Sequence, residues 1–80
     1  MTTVAGVVIV TAPGAEPRVA ARLAREPGLT LQGGDGDARL AAVLEASDGR
    51  SLEALAEELL ARDEEILGIF PTFVGEDEEP

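Results

Sequence analysis

The chain contains no cysteine, histidine, lysine, asparagine, tryptophan or tyrosine. Each absence removes some chemistry. Without cysteine there are no disulfides and no thiolate metal sites, and without histidine the commonest metal ligand and the usual near-neutral proton carrier are missing. Without lysine, all 6 cations are arginines, set against 16 carboxylates for a net charge of −10. Nucleic acid and anionic membrane surfaces repel such a chain, so neither is expected as a partner. A cationic partner is attracted, although acidity also serves solubility. The longest apolar run, VAGVVIV, is too short to span a bilayer and follows no basic region. Membrane insertion is therefore not expected, and the reading is a soluble, cytoplasmic protein. Its 80 residues make one domain, near the lower size limit for a core without staples.

What is present is strong periodicity. Residues 4–11 (VAGVVIVT) are rich in β-branched side chains and read as a strand buried on both faces, hence central in its sheet. Ala12-Pro13-Gly14 breaks it, and Glu16-Pro17 opens a helix with proline in its first turn. Val19, Ala20, Leu23 and Ala24 form the inner stripe of that helix, with Arg18, Arg22 and Arg25 outside. Pro27-Gly28 ends it. Residues 29–32 (LTLQ) alternate as a half-buried strand, and residues 40–45 (LAAVLE) form another. Asp48 or Ser51 caps the next helix, where Leu52, Leu55, Ala56, Leu59 and Leu60 share one face. Residues 66–74 (ILGIFPTFV) are the last strand. Pro71 cannot donate a ladder hydrogen bond, so this strand belongs at an edge or carries a bulge. The domain thus spans residues 1–74, and the acidic residues 75–80 read as a disordered tail.

The order β-α-β-β-α-β predicts an α+β fold, the ferredoxin-like split βαβ sandwich. Its four-stranded antiparallel sheet has the first and third strands at the centre and two helices on one face. The glycine-rich stretch GGDGDARLAAVLEA, at residues 33–46, lies between two of these strands. A phosphate loop needs a helix N-terminus after it, and none follows here. Asp35 and Asp37 resemble the start of a calcium loop, but its later ligands are not in place. Asp35-Gly36 reads instead as the turn of a hairpin, with both aspartates exchangeable for serine at little cost.

The fold class narrows the functions. RNA-recognition modules stack bases on aromatics of the central strands, and these strands have none. Metal-carrying domains of this fold need paired cysteines. Acylphosphatase-like enzymes use an arginine in the first loop and an asparagine nearby, yet residues 11–15 hold no arginine. Ser47 and Ser51 have no base to activate them. Neither an enzyme nor a bound cofactor or metal is expected. The uncovered sheet face says more. With Val7, Ile9, Leu40, Ala42, Leu44, Leu67 and Ile69 toward the helices, Val8, Val10, Ala41, Val43 and Phe70 point outward. A contiguous apolar patch of this kind marks a docking surface, either for a partner or for a second copy in a face-to-face homodimer.

Over residues 7–73 the chain resembles the NapD-type chaperones of periplasmic nitrate reductase maturation. The resemblance rests on VVIV, RVAARLAREPGLTL, DGDARLAAVLEA, the helix from Leu52 to Leu60, and ILGI, in that order. It implies a cytoplasmic, ferredoxin-like, non-enzymatic protein. Its partner would be the twin-arginine signal peptide of an exported molybdenum-containing oxidoreductase, bound until the cofactor is inserted. It further implies that Val8, Val10, Ala41, Val43 and Phe70 meet the peptide's apolar stripe. Glu45, on the same side at the end of a central strand, is the candidate acid for arginine, whose planar fork engages both carboxylate oxygens.

The chain departs from the family pattern twice. Phe73 is followed by Val74, Gly75 and acids where the family has histidines. Asp63-Glu64-Glu65 replaces a repeated Pro-Gly connector. The rival reading is a dimeric regulatory domain of the same fold that senses a small metabolite at an inter-subunit groove. If Asp35 and Asp37 serve only the hairpin, millimolar calcium leaves the melting temperature unchanged; a rise that grows with calcium concentration would mark a bound ion.

Overall fold

An apolar strand needs hydrogen-bonding partners on both edges and cover on at least one face, and the chain folds to supply them. The computed structural model describes residues 2–77, in the order β1 (Thr2–Thr11), α1 (Glu16–Leu23), β2 (Leu29–Gly34), β3 (Arg39–Ala46), α2 (Gly49–Arg62) and β4 (Ile66–Asp77). The four strands form one antiparallel sheet in the order β2-β3-β1-β4. This is the expected βαββαβ, ferredoxin-like arrangement, with β1 and β3 central and Pro71 on an edge strand. No helix among the described residues is long and apolar enough to cross a membrane.

The core lies between the helices and one sheet face. Ala5, Val7 and Ile9 of β1, Leu40, Ala42 and Leu44 of β3, Val19 and Leu23 of α1, and Leu52 and Leu59 of α2 are all buried in it. Leu60 lies at the rim of its helical stripe and is 41% exposed.

Local chemistry sets the element ends. Asp48, not Ser51, caps α2, accepting the Ser51 amide at 2.7 Å. Helix α1 has no side-chain cap; its Glu16 amide donates instead to the Asp37 carbonyl at 3.0 Å. The Asp37 carboxylate accepts the Gly14 amide at 2.8 Å, so the β2–β3 hairpin holds the start of α1. Gly28 has φ +80°, and a Cβ there would lie 2.8 Å from the Glu45 carbonyl oxygen, so glycine is required.

Four expectations change. Helix α1 stops at Leu23, ahead of Pro27-Gly28, with Ala24 as its C-cap and exposed. The hairpin spans a loop of residues 35–38, with Gly36 at φ +78°. In it the Asp35 carboxylate accepts the amides of Asp37, Ala38 and Arg39 at 2.9–3.0 Å. These bonds, the Arg39 amide first, hold the Asp35 carboxyl below its ordinary range. Serine cannot reproduce three charge-assisted bonds, so exchanging these aspartates removes part of the fold's wiring. Strand β4 runs on to Asp77 through residues expected in the tail, with Gly75, Glu76 and Asp77 opposite Val4, Thr3 and Thr2; residues 78–80 lie outside the described residues.

The fourth change is Leu67, expected toward the helices but 61% exposed. Ile66 pairs with Thr11 and Gly68 with Val10, so Leu67 is the extra residue of a β-bulge and leaves the core face.

Arginines tie the helix layer to the α2–β4 turn. Arg18 meets Glu65 at 2.7 Å, Arg22 meets Asp63 at 2.9 Å and Glu65 at 3.0 Å, and Arg62 meets Glu26 at 2.6 Å. The hydrogen bonds from Arg18 and then Arg22 lower the Glu65 carboxyl from its ordinary 4.5 to about 2. A carboxyl depressed by folding adds stability that is complete above its unfolded value and is lost as pH falls through its folded one. Thermal scans should therefore show Glu65→Gln melting below the parent at neutral pH, with the gap closing between pH 4.5 and about 2. A gap that ignores pH across this window would count against the ion pairs as its source.

Candidate functional site on the open sheet face

Strand alternation places even-numbered residues of β1 on the side away from the helices, because Ala5, Val7 and Ile9 are in the core. The register then fixes their neighbours. Val8 lies between Ala41 and Phe70, Val10 between Arg39 and Gly68, Gly6 between Val43 and Phe73, and Val4 between Glu45 and Gly75. All six residues expected on the open side, Val8, Val10, Ala41, Val43, Glu45 and Phe70, therefore share one face. Val8, Val10 and Val43 are half-buried, while Ala41, Glu45 and Phe70 are exposed.

Two glycines shape this face. A Cβ at Gly6 would collide with the Phe73 ring, and one at Gly68 would lie 2.6 Å from the Phe70 ring. Each ring occupies the space over a glycine, an arrangement that only a missing side chain permits. The rings are 56% and 55% exposed at Phe70 and Phe73. Gly6 and Gly68 beneath them are buried. Beside them a shallow groove of about 340 Å³ runs between Val8, Ala41, Val43, Gln32 and Phe73.

Phe73 was missed in the sequence because strict alternation from Phe70 sends it to the helix side. Pro71 pairs with Val7 and Phe73 with Gly6, so Thr72 is the extra residue of a second bulge, which returns Phe73 to the open face. The signal that could have found it was the glycine at position 6, in phase with Val8 and Val10. A glycine inside a strand marks a close approach.

The polar features elsewhere are self-contained. A hollow of about 540 Å³ between the helix ends is lined by Arg22, Arg62, Glu26, Asp63 and Glu65. Those charges pair with one another. Among the described residues no group of three or more metal-ligating side chains is placed to hold an ion. Ser47 and Ser51 are exposed, and the Ser51 amide is committed to the Asp48 cap.

The face assignment is testable by charge. Val8→Asp should leave a cooperative melting transition, because its carboxylate reaches water. Ile9→Asp should abolish it, since Ile9 is 0% exposed and an unpaired buried charge is not tolerated. The opposite result, read by circular dichroism, would exchange the two faces. In comparisons with protein-family models, curated proteins and solved structures, nothing matches this chain.

Proposed function

We propose that the open sheet face is the docking surface for a cationic amphipathic helix, the twin-arginine signal peptide of an exported molybdenum-containing oxidoreductase of the periplasmic nitrate reductase type. In this reading the chain is a cytoplasmic chaperone and not an enzyme, and it delays export until the cofactor is inserted. The observation that carries it is the pair of exposed phenylalanines, Phe70 and Phe73, whose rings sit over Gly68 and Gly6 on an uncovered apolar face. Exposed aromatic rings of this kind give an incoming helix a large apolar contact area.

Charge supports the same partner. A net −10 attracts a basic peptide and opposes the approach of a second copy face to face. The open face also carries opposite charges at its two ends. Glu45 shares a row with Val4 and Arg39 one with Val10, six residues apart on β3. That separation is about 20 Å, which an α-helix covers in about 13 residues. A guest helix would set its arginine pair beside Glu45, with its apolar stripe over Val43, Val8, Ala41, Val10 and Phe70. The rival metabolite-sensing dimer would use the loop glycine after β1, but the Gly14 amide is already bonded to Asp37.

Titration with a twin-arginine signal peptide from the same genome tests the reading, with an apolar and an electrostatic share that salt separates. Raising salt to about 0.5 M shortens the screening length to a few ångströms, so affinity should fall without vanishing. Changing the peptide's two arginines to lysines keeps charge but loses the bidentate fork, and should cost further affinity at fixed salt. Glu45→Gln should shrink that arginine-over-lysine difference. No saturable binding at low salt by the folded protein would sink the proposal.

A further inference from the structure

The two edges of the sheet are protected very differently. Strand β4 carries Pro71, which has no amide to offer, and bulges at Leu67 and Thr72 that break a flat edge. Strand β2, LTLQGG, holds no proline and no charge. Its one irregularity falls between Leu31 and Gly33, past its first three residues. Natural edges are ordinarily guarded by one of these devices, and the opening half of β2 has none.

The hydrogen-bond pattern shows which groups that edge presents. The Glu45 amide donates to the Gly28 carbonyl at 2.7 Å, and the register continues as Leu29–Leu44, Thr30–Val43 and Leu31–Ala42. Bonded and non-bonded positions alternate in an antiparallel pair, so Thr30 bonds inward to β3 while Leu29 and Leu31 turn their backbone groups outward. The Leu29 amide is taken by the Glu26 carbonyl at 3.3 Å. The Leu31 amide and the carbonyls of Leu29 and Leu31 face outward with no backbone partner among the described residues.

We infer that this edge pairs with the β2 edge of a second copy of the chain, antiparallel and two-fold symmetric about Thr30. In that register the Leu31 amide of each copy donates to the Leu29 carbonyl of the other. Charge complementarity singles out a second copy as the occupant. Arg25 lies in the turn before β2, and Asp35 lies in the hairpin loop after it. The two-fold sets the turn before β2 of one copy at the end of the partner's β2 that leads into its hairpin loop, with Asp35 and Asp37, twice per dimer. Arg25 forms no ion pair among the described residues. The intervening acid, Glu26, is already held by Arg62 at 2.6 Å. The contact is small and two chains of −10 repel at long range, so the dimer is weak and concentration-dependent. The open face stays uncovered, so the inference does not rest on peptide binding.

The absence of cysteine provides a direct test. Thr30 would face its own symmetry mate at a non-hydrogen-bonded position, where Cα atoms approach to about 4.5 Å, within disulfide range. Mild oxidation of Thr30→Cys should yield a covalent dimer, whereas Thr72→Cys on the opposite edge and Ala41→Cys on the open face should stay monomeric. Sedimentation equilibrium of the parent up to about 1 mM in about 0.15 M salt should show reversible dimerisation. Arg25→Glu should weaken it at least about threefold more than Arg50→Glu, which changes the net charge equally but on helix α2. Circular dichroism confirms that each variant is folded. A monomer throughout the range overturns the inference. So do equal effects of the two charge reversals, or crosslinking through Thr72→Cys or Ala41→Cys while Thr30→Cys stays monomeric.

Discussion

Strand β1 is apolar on both faces and hydrogen-bonded on both edges, and the other elements are placed by that double demand. Its odd-numbered residues, Ala5, Val7 and Ile9, need a dry core, which α1 and α2 provide together with Leu40, Ala42 and Leu44 of β3. Its backbone needs partners on each side, so the β2–β3 hairpin closes on one edge and β4 on the other. Two short helices suffice to cover one face of four strands but leave nothing for the second. The even-numbered residues, Val8 and Val10, therefore reach a half-exposed surface because the strand that carries them must sit at the centre. The candidate site follows from this constraint on the fold.

The existence, type and order of all six elements were legible because their periods differ, two along the strands and close to four along the helices. Strand β4 resisted because its bulges reset the period twice within 12 residues. Leu67 fell to the wrong side of one bulge and Phe73 to the wrong side of the other. A bulge depends on the pairing strand, and a local pattern carries no record of its partner. Asp35 and Asp37 were legible as turn formers but not as wiring, since Gly14, which Asp37 holds, is 23 residues away. Gly6 and Gly68 carried a readable signal. Their phase matched the open face, and their lack of a side chain is what makes room for two aromatic rings there.

Electrostatics divides the molecule. Arg18, Arg22 and Arg62 are engaged by Glu65, Asp63 and Glu26, acids of the turns after α2 and α1. Exposed pairs of this kind add little each, but Glu65 serves two arginines at once, which is why its carboxyl is depressed so far. On the open face the balance is sparse, with Arg39 and Glu45 at opposite ends of β3 and apolar rows between them. A guest helix with charge at one end would meet a field that favours one direction along the strands.

Face and edge offer different chemistry, and the two surfaces are compatible. The open face presents side chains, suited to the apolar stripe of a helix; the β2 edge presents backbone groups, suited to another strand. A two-fold axis that pairs identical strands antiparallel stands perpendicular to the sheet, so it keeps the open faces of both copies on the same side. The pair would form one eight-stranded sheet, with both helix layers beneath and two sets of Phe70 and Phe73 above. The β4 edges, with Pro71 and their bulges, would end that sheet on both sides and keep association at two copies. Protection of one edge and openness of the other would thus hold the proposed assembly to a dimer with two open faces.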